Sequence, residues 1–401
     1  MKFFHTADWH LGKLVQSVYM TEDQQYVLEQ LLQDIEKEKP DAVIIAGDLY
    51  DRAVPPTEAV QLLDRVLKTI VLDLKTPVLA VSGNHDSPSR LNFGSDMMRA
   101  AGLHMAGEFA PPFEPVVLYD EHGPVHCYLV PYADPATVRQ ALQAEEIHSY
   151  DDAMRATVAR IRETLTPGVR SVFVGHAFVT PGGEAEPNTS DSERPLAIGG
   201  AEHVRAAHFD CFVYTALGHL HQAHFVGSGK VQYAGSPLKY SISEEKHRKG
   251  YLVVELEADG SAKVEKRLLT PRRDMRTVEA LMEEIERGEK SEDYIYVRLL
   301  DKLPVLSPME RIRAVYPNAM HVERKAALEQ LNGQSEAGAA GAGKAGMDMM
   351  SLFRAFYQDA KGSEVSEETE QLFLQVLREI DREEGERIEA NQAGDDGVRA
   401  V

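Results

Sequence analysis

Asp41-Ala42-Val43-Ile44-Ile45-Ala46-Gly47-Asp48-Leu49-Tyr50-Asp51 is the stretch on which the fold turns. The apolar run through residue 46 reads as a buried strand. A glycine ends it, and two carboxylates follow within four residues. Outward from it the same alternation repeats. Upstream, residues 2–7 read as a strand and 22–39 as a helix ended by Pro40. Downstream, residues 57–74 read as a helix entered through Pro55-Pro56, and 77–82 as another buried strand. Strands alternating with helices imply an α/β fold, a sheet with helical layers. Later strands are expected at 116–119, 125–131, 171–175, 211–216, 230–234 and 251–256, and an exposed polar loop over 180–200.

Five strands end in a short polar motif. These are Asp8-Trp9-His10, Gly47-Asp48-Leu49-Tyr50-Asp51, Gly83-Asn84-His85-Asp86, Gly175-His176 and Gly218-His219-Leu220-His221. In open α/β sheets, sites form at the carboxyl ends of the strands, so the five loops are expected at one crevice. The glycines are expected to let the backbone turn sharply. Carboxylate, amide oxygen and imidazole, with no thiolate, suit manganese, iron or zinc in a catalytic rather than a structural site. His219 and His221 point to one face of an extended segment and can serve adjacent metals. Asp48 is the natural bridge between two cations about 4 Å apart. His5, His104, His122, His126 and His203 are read as structural.

The chain has 401 residues, enough for two or three domains. With 43 Lys+Arg against 64 Asp+Glu, its net charge of −21 argues against coating nucleic acid by charge alone. It does not exclude nucleic acid as a substrate, because a metal site supplies its own positive charge. Cys127 and Cys211 are too few for a disulfide framework and fit a reducing cytosol. No leader peptide and no membrane span are read, so a cytoplasmic location is expected.

Near residue 271 the pattern changes. Residues 277–286 read as a short acidic helix, 293–300 as a strand and 308–315 as a second helix, together a small α+β domain. The Gly/Ala-rich run 333–346 reads as flexible linker. Beyond it, 347–360 and 364–384 read as two amphipathic helices, with Met350, Phe353, Phe356, Phe373 and Leu377 among their apolar residues. They either fold back on the body or dock a partner helix, and docking is the favoured reading. The organisation expected is thus 1–270, 271–330, linker 331–346, helical module 347–385 and a disordered tail 386–401.

The five motifs, in this order, resemble the calcineurin-like metallophosphoesterases. His5-Thr6-Ala7-Asp8-Trp9-His10-Leu11-Gly12 and Tyr233-Ala234-Gly235-Ser236-Pro237 narrow the resemblance to the bacterial SbcD-type nuclease subunits. The resemblance implies a β-sandwich flanked by helices, a small α+β capping domain and a C-terminal helical pair. It implies that Asp8, His10, Asp48 and His221 hold one metal, and Asp48, Asn84, His176 and His219 the other, most often manganese. It makes His85 the catalytic group facing substrate and Asp86 its orienting partner; the plainer role for His85 is to orient Asn84 or Asp48. It implies 3′-to-5′ duplex exonuclease and single-strand and hairpin endonuclease action on DNA, a homodimer through the first domain's helices, and an SbcC-type ATPase partner held by the C-terminal pair. Lys13, Arg52, Arg90 and Lys239 lie beside the motif loops as candidate DNA contacts. Asp51 stands where archaeal and eukaryotic relatives carry a histidine, and its role stays open. A small-molecule phosphodiesterase and a non-catalytic scaffold are the competing readings.

Overall fold

Alternation along single strands sorts the first domain's residues into separate cores. In Lys2–Thr6, Phe3 joins Ile44, Leu79, Val172 and Val174 between two sheets, whereas Phe4 packs outward with Val27, Leu31, Val43 and Ile45. The computed structural model describes residues 1–182, 203–325, 350, 353, 354, 357, 365, 366 and 369–374. The first sheet runs Ala262–Leu268, Gly250–Leu256, Lys2–Thr6, Ala42–Ala46, Val78–Val81, Leu103–Ala106. The second runs His224–Phe225, Val231–Tyr233, Tyr214–Gly218, Arg170–His176, Gly123–Val130, Val116–Asp120. The last four strands of the first sheet are parallel, as are the middle four of the second. Their carboxyl ends carry the five motif loops. The result is an α/β sandwich with helices outside it.

Helix Thr21–Glu38 covers the first sheet because Val27, Leu28, Leu31 and Ile35 recur at helical spacing. It ends at Lys39, which takes a left-handed conformation just before Pro40. Helix Tyr150–Thr164 covers the second sheet through Val158 and Ile161 and starts at a capping box of Ser149 and Asp152. Between the sheets, His5 is buried and its Nδ1 lies 2.9 Å from the Tyr214 hydroxyl. Burial lowers its imidazole to about 3, a structural histidine as expected.

Several expectations need correcting. The strand expected at 211–216 starts only at Tyr214, because Ala206–Cys211 winds into a 3₁₀ helix. Residues 275–280 form a strand, and only Met282–Arg287 is helical. Glu245 accepts hydrogen bonds from the Thr277 amide (2.8 Å) and hydroxyl (2.9 Å), a tertiary anchor that overrides the acidic helix pattern. Edge strand Ala262–Leu268 carries no clear strand signal, because its residues are polar and no face is fully buried.

The chain divides into two compact units: 1–278 with 288–297 and 312–322, and 279–287 with 298–311 and 323 onward. Within the first, Tyr294 donates to Asp23 (2.6 Å) and Arg273 pairs with the same carboxylate (3.0 Å). Within the second, Arg298 pairs with Glu323 and Arg311 with Glu286. Also there, Phe353 and Phe373 stack with centroids 3.9 Å apart and Met350 is buried. Residues 183–202 of the expected loop, Phe356, Leu377, the expected linker and the expected tail lie outside the described residues. No described helix is long and apolar enough to cross a membrane.

Candidate metal centre

The loops that carry the motifs are held in unusual backbone conformations. Asp8 (φ 54°), His10 (φ 45°), Asp48 (φ 50°) and His219 (φ 109°) all have positive φ. Each costs on the order of 1–3 kcal/mol and persists only where its surroundings impose it. Here the first two loops clamp each other: the Asp8 amide donates to the Gly47 carbonyl (3.0 Å), and the His10 amide to the Asp48 carbonyl (2.9 Å). Gly47, at φ 92°, meets the sharp-turn expectation. Gly83 and Gly218 do not turn this way; they permit close approach. A Cβ on Gly83 would stand 2.1 Å from Asp48 Oδ1, and one on Gly218 would stand 2.0 Å from the Ala46 carbonyl oxygen.

Seven side chains converge across the seam between the sheets. Asp8, His10 and His221 present ligand atoms within 4.8 Å of one another, and so do Asp8, Asp48 and His176. His10 Nε2 lies 3.0 Å from His221 Nε2 and 3.6 Å from Asp48 Oδ2. On the other side of the same carboxylate, His176 Nε2 lies 3.4 Å from Asp48 Oδ2 and 2.9 Å from Asn84 Oδ1. His219 is buried beside His176, with ring centroids 5.4 Å apart, and its amide donates to Asp8 Oδ1. Asp48 thus stands between the two groups of donors.

The donors suit divalent cations. His176 Nδ1 is turned to the Ala46 carbonyl (2.9 Å) and His221 Nδ1 to Glu244 Oε1 (3.0 Å), so both rings aim Nε2 into the site. Burial lowers His10, His219 and His221, leaving neutral imidazoles with a lone pair to give. Burial opposes charge on Asp48 and His176 as well, but their mutual attraction prevails. The Asp48 carboxyl is held well below its usual range and the His176 imidazole is raised to about 9. A cation entering here displaces that proton.

His85 is half-buried, and its Nδ1 lies 2.8 Å from the Asp51 carbonyl oxygen. Its ring stands edge-on to His10 at 4.7 Å. Asp86 does not orient it. The Asp86 carboxylate accepts from the amides of Leu49 (3.1 Å), Tyr50 (2.9 Å) and Gly83 (2.9 Å), which staples the second motif loop to the third. Burial and the charge of Asp48 push Asp86 up to about 7 against those three donors. The orienting contact comes instead from Asp51, through its backbone. The Asp51 side chain pairs with Lys13 (2.8 Å) and lies 3.6 Å from His10 Nδ1. Lys239 pairs with Asp274 (2.8 Å), while Arg52 and Arg90 are exposed.

Two supporting residues lie beyond sequence reasoning. Gln24, on the first helix, donates to the carbonyls of Trp9 (3.0 Å) and His10 (2.7 Å) and accepts from Gly12 N (3.1 Å). Glu244 is fully buried and is held by Lys249 at 2.5 Å as well as by His221. Neither sits in a motif, and nothing local marks them. Glu244→Gln is expected to weaken metal binding by roughly 10–100-fold while the fold persists. Competition against a chelator, with melting as the control, measures both.

A buried carboxylate between two groups of imidazole, amide and carboxylate donors, at the strand ends of an α/β sandwich, is the arrangement of a metal-dependent phosphoesterase. The family description "Calcineurin-like phosphoesterase" matches residues 1–176, and "Type 5 capsule protein repressor C-terminal domain" matches residues 271–361. The chain is 33% identical over 324 residues to the SbcD subunit of nuclease SbcCD from Staphylococcus epidermidis, covering 80% of this chain and 84% of that one. It is likewise 33% identical over 327 residues to the protein of that name from Staphylococcus saprophyticus, at 80% and 84% coverage. The chain belongs to the SbcD family of nuclease subunits.

Proposed function

We propose that the chain cuts DNA phosphodiesters as the nuclease subunit of an SbcC–SbcD-like complex. Its action would be 3′-to-5′ on duplex ends and endonucleolytic on single strands and hairpins, in recombination, replication and repair. The observation that carries this reading is the intact set of converging donors in a chain related to the SbcD nucleases over four-fifths of its length. Asp8, His10, Asp48 and His221 would hold one metal, and Asp48, Asn84, His176 and His219 the other, with manganese the expected ion. When bound, such a pair polarises a phosphate and supplies hydroxide near neutral pH. Asp48 neutralises both positions at once. His85, steadied by the Asp51 carbonyl, gives a proton to the leaving oxygen. Arg52 and Arg90, exposed beside the motif loops, contact the strand. Lys13 and Asp51 set the rim as an ion pair, and Lys239 lies further along it.

An SbcC-type ATPase would be held by the C-terminal helices. A homodimer would form through the first domain's helices, where Phe93 (82% exposed) and Met97 (75%) offer apolar surface. The deciding assay offers linear duplex DNA and an aryl phosphodiester in parallel, with manganese. Cleavage of duplex supports the reading; cleavage of the small ester alone overturns it in favour of a small-molecule phosphodiesterase. Deleting residues from 347 onward is expected to abolish capture of the ATPase and to leave bound metal unchanged. Retained capture would mean that these helices serve the chain's own packing.

A further inference from the structure

Lys246-His247-Arg248-Lys249 is a concentrated basic run in a chain of net charge −21. It borders a cavity of about 300 Å³, walled further by Lys239, Arg273, Leu238 and Leu269. That volume is at the small end of ligand pockets, on the order of 300–1,000 Å³. The cavity's two carboxylates are already engaged. Glu245 accepts from Thr277, and Asp274 pairs with Lys239 at 2.8 Å. Two of its cations are matched as well, Lys249 by Glu244 at 2.5 Å and Arg273 by Asp23 at 3.0 Å.

The remaining cations have no such match. Lys246 and Arg248 are exposed, and neither pairs with a carboxylate among the described residues. Lys266, half-buried on strand Ala262–Leu268 and outside the cavity's lining, also lacks a carboxylate partner among the described residues. Burial, with the charges of Lys249 and Arg248, lowers its ammonium to about 8. The charge crowded at the cavity's lining and just beyond it is therefore largely uncompensated, and an anion in the cavity relieves it. The cavity also adjoins the metal centre. Lys249 Nζ donates to the His221 carbonyl (2.8 Å), and its partner Glu244 holds the His221 ring.

We infer that this cavity is a phosphate subsite, separate from the metal centre, that grips a phosphodiester of the DNA strand away from the bond being cut. The inference rests on the DNA reading above. Leu238 and Leu269 give the adjoining sugar an apolar wall, and Lys246 and Arg248 hold the phosphate. A free mononucleotide carries the same phosphate chemistry, so the test separates the two sources.

The full-length chain and its Lys246→Gln/Arg248→Gln and Lys246→Glu/Arg248→Glu variants are titrated against a short fluorescein-labelled blunt duplex. Calcium replaces the catalytic metal to prevent cutting, and the salt concentration is varied. A labelled mononucleotide is the second probe. The neutral variant is expected to bind duplex at least about fivefold more weakly, with a salt dependence shallower by about one unit, the value for one phosphate neutralised. The charge-reversed variant is expected to bind more weakly still. Duplex binding and salt slope equal to those of the unsubstituted chain, with melting unchanged, overturn the subsite. A loss confined to the mononucleotide overturns it too, because the cavity would then take free nucleotide and not the strand. Failure of the unsubstituted chain to bind or cut duplex would instead strike the DNA reading, a separable result.

Discussion

Asp48→Asn is expected to lose bound metal and to cut phosphodiester hydrolysis by at least about a thousandfold, roughly 4 kcal/mol of barrier. The substitution preserves shape and removes one charge. That carboxylate lies between both groups of donors: Oδ2 is 3.6 Å from His10 Nε2 and 3.4 Å from His176 Nε2. Its other oxygen accepts the His85 amide at 2.9 Å, so the same residue also fixes the loop that carries His85. An amide in its place offers one neutral oxygen and turns an N–H toward one imidazole or the other. Elemental analysis of the purified variant and a rate on duplex DNA test the claim, with melting as a check that the sandwich survives. A variant that keeps both its metal and its rate would show that Asp48 is not the bridge.

His85→Ala is expected to lower kcat on DNA by roughly 10²–10⁴-fold, the usual worth of a positioned general acid, while bound metal stays constant. The two effects separate because His85 meets the site through two different atoms. Its backbone amide holds Asp48, and that bond survives truncation; its ring is held by the Asp51 carbonyl at 2.8 Å, and only the ring is lost. A diester with a good leaving group, such as a nitrophenolate, needs less protonation and should suffer a smaller loss. Equal losses on both substrates would point to the plainer role, in which His85 only orients Asp48 or Asn84. Full turnover on DNA would remove it from the reaction.

Most of the sandwich and all seven candidate metal donors are legible in the sequence, for a physical reason. A buried parallel strand must be an apolar run, and the loop at its carboxyl end must be polar to hold a cation, so Ala42–Ala46 followed by Gly47-Asp48 carries both signals in adjacent residues. What escapes depends on contacts that no local pattern carries. Glu244 reaches His221 only because the chain returns past the second sheet, and Gln24 looks like any polar residue on a helix. Residues 277–286 have an acidic pattern that suits a helix, whereas Glu245 anchors Thr277 within the strand Met275–Ala280. The glycines are informative for a reason other than the expected one in part: Gly83 and Gly218 make room for neighbouring atoms rather than reversing the chain. Asp86 sits beside His85 in sequence, and that proximity suggests an orienting role, whereas its carboxylate is found on three backbone amides.

The donors are divided unequally between the two halves of the sandwich. Asp8, His10, Asp48 and Asn84 follow strands of the first sheet, while His176, His219 and His221 follow strands of the second. The first half is therefore rich in anionic and amide oxygen, and the second contributes imidazole alone. Neither has a full complement by itself. Along the chain the first sheet's oxygens come long before His219 and His221, so the donor set is complete only when the later half packs in register. A first sheet without the second, or docked one residue out of step, therefore presents only part of the donor set.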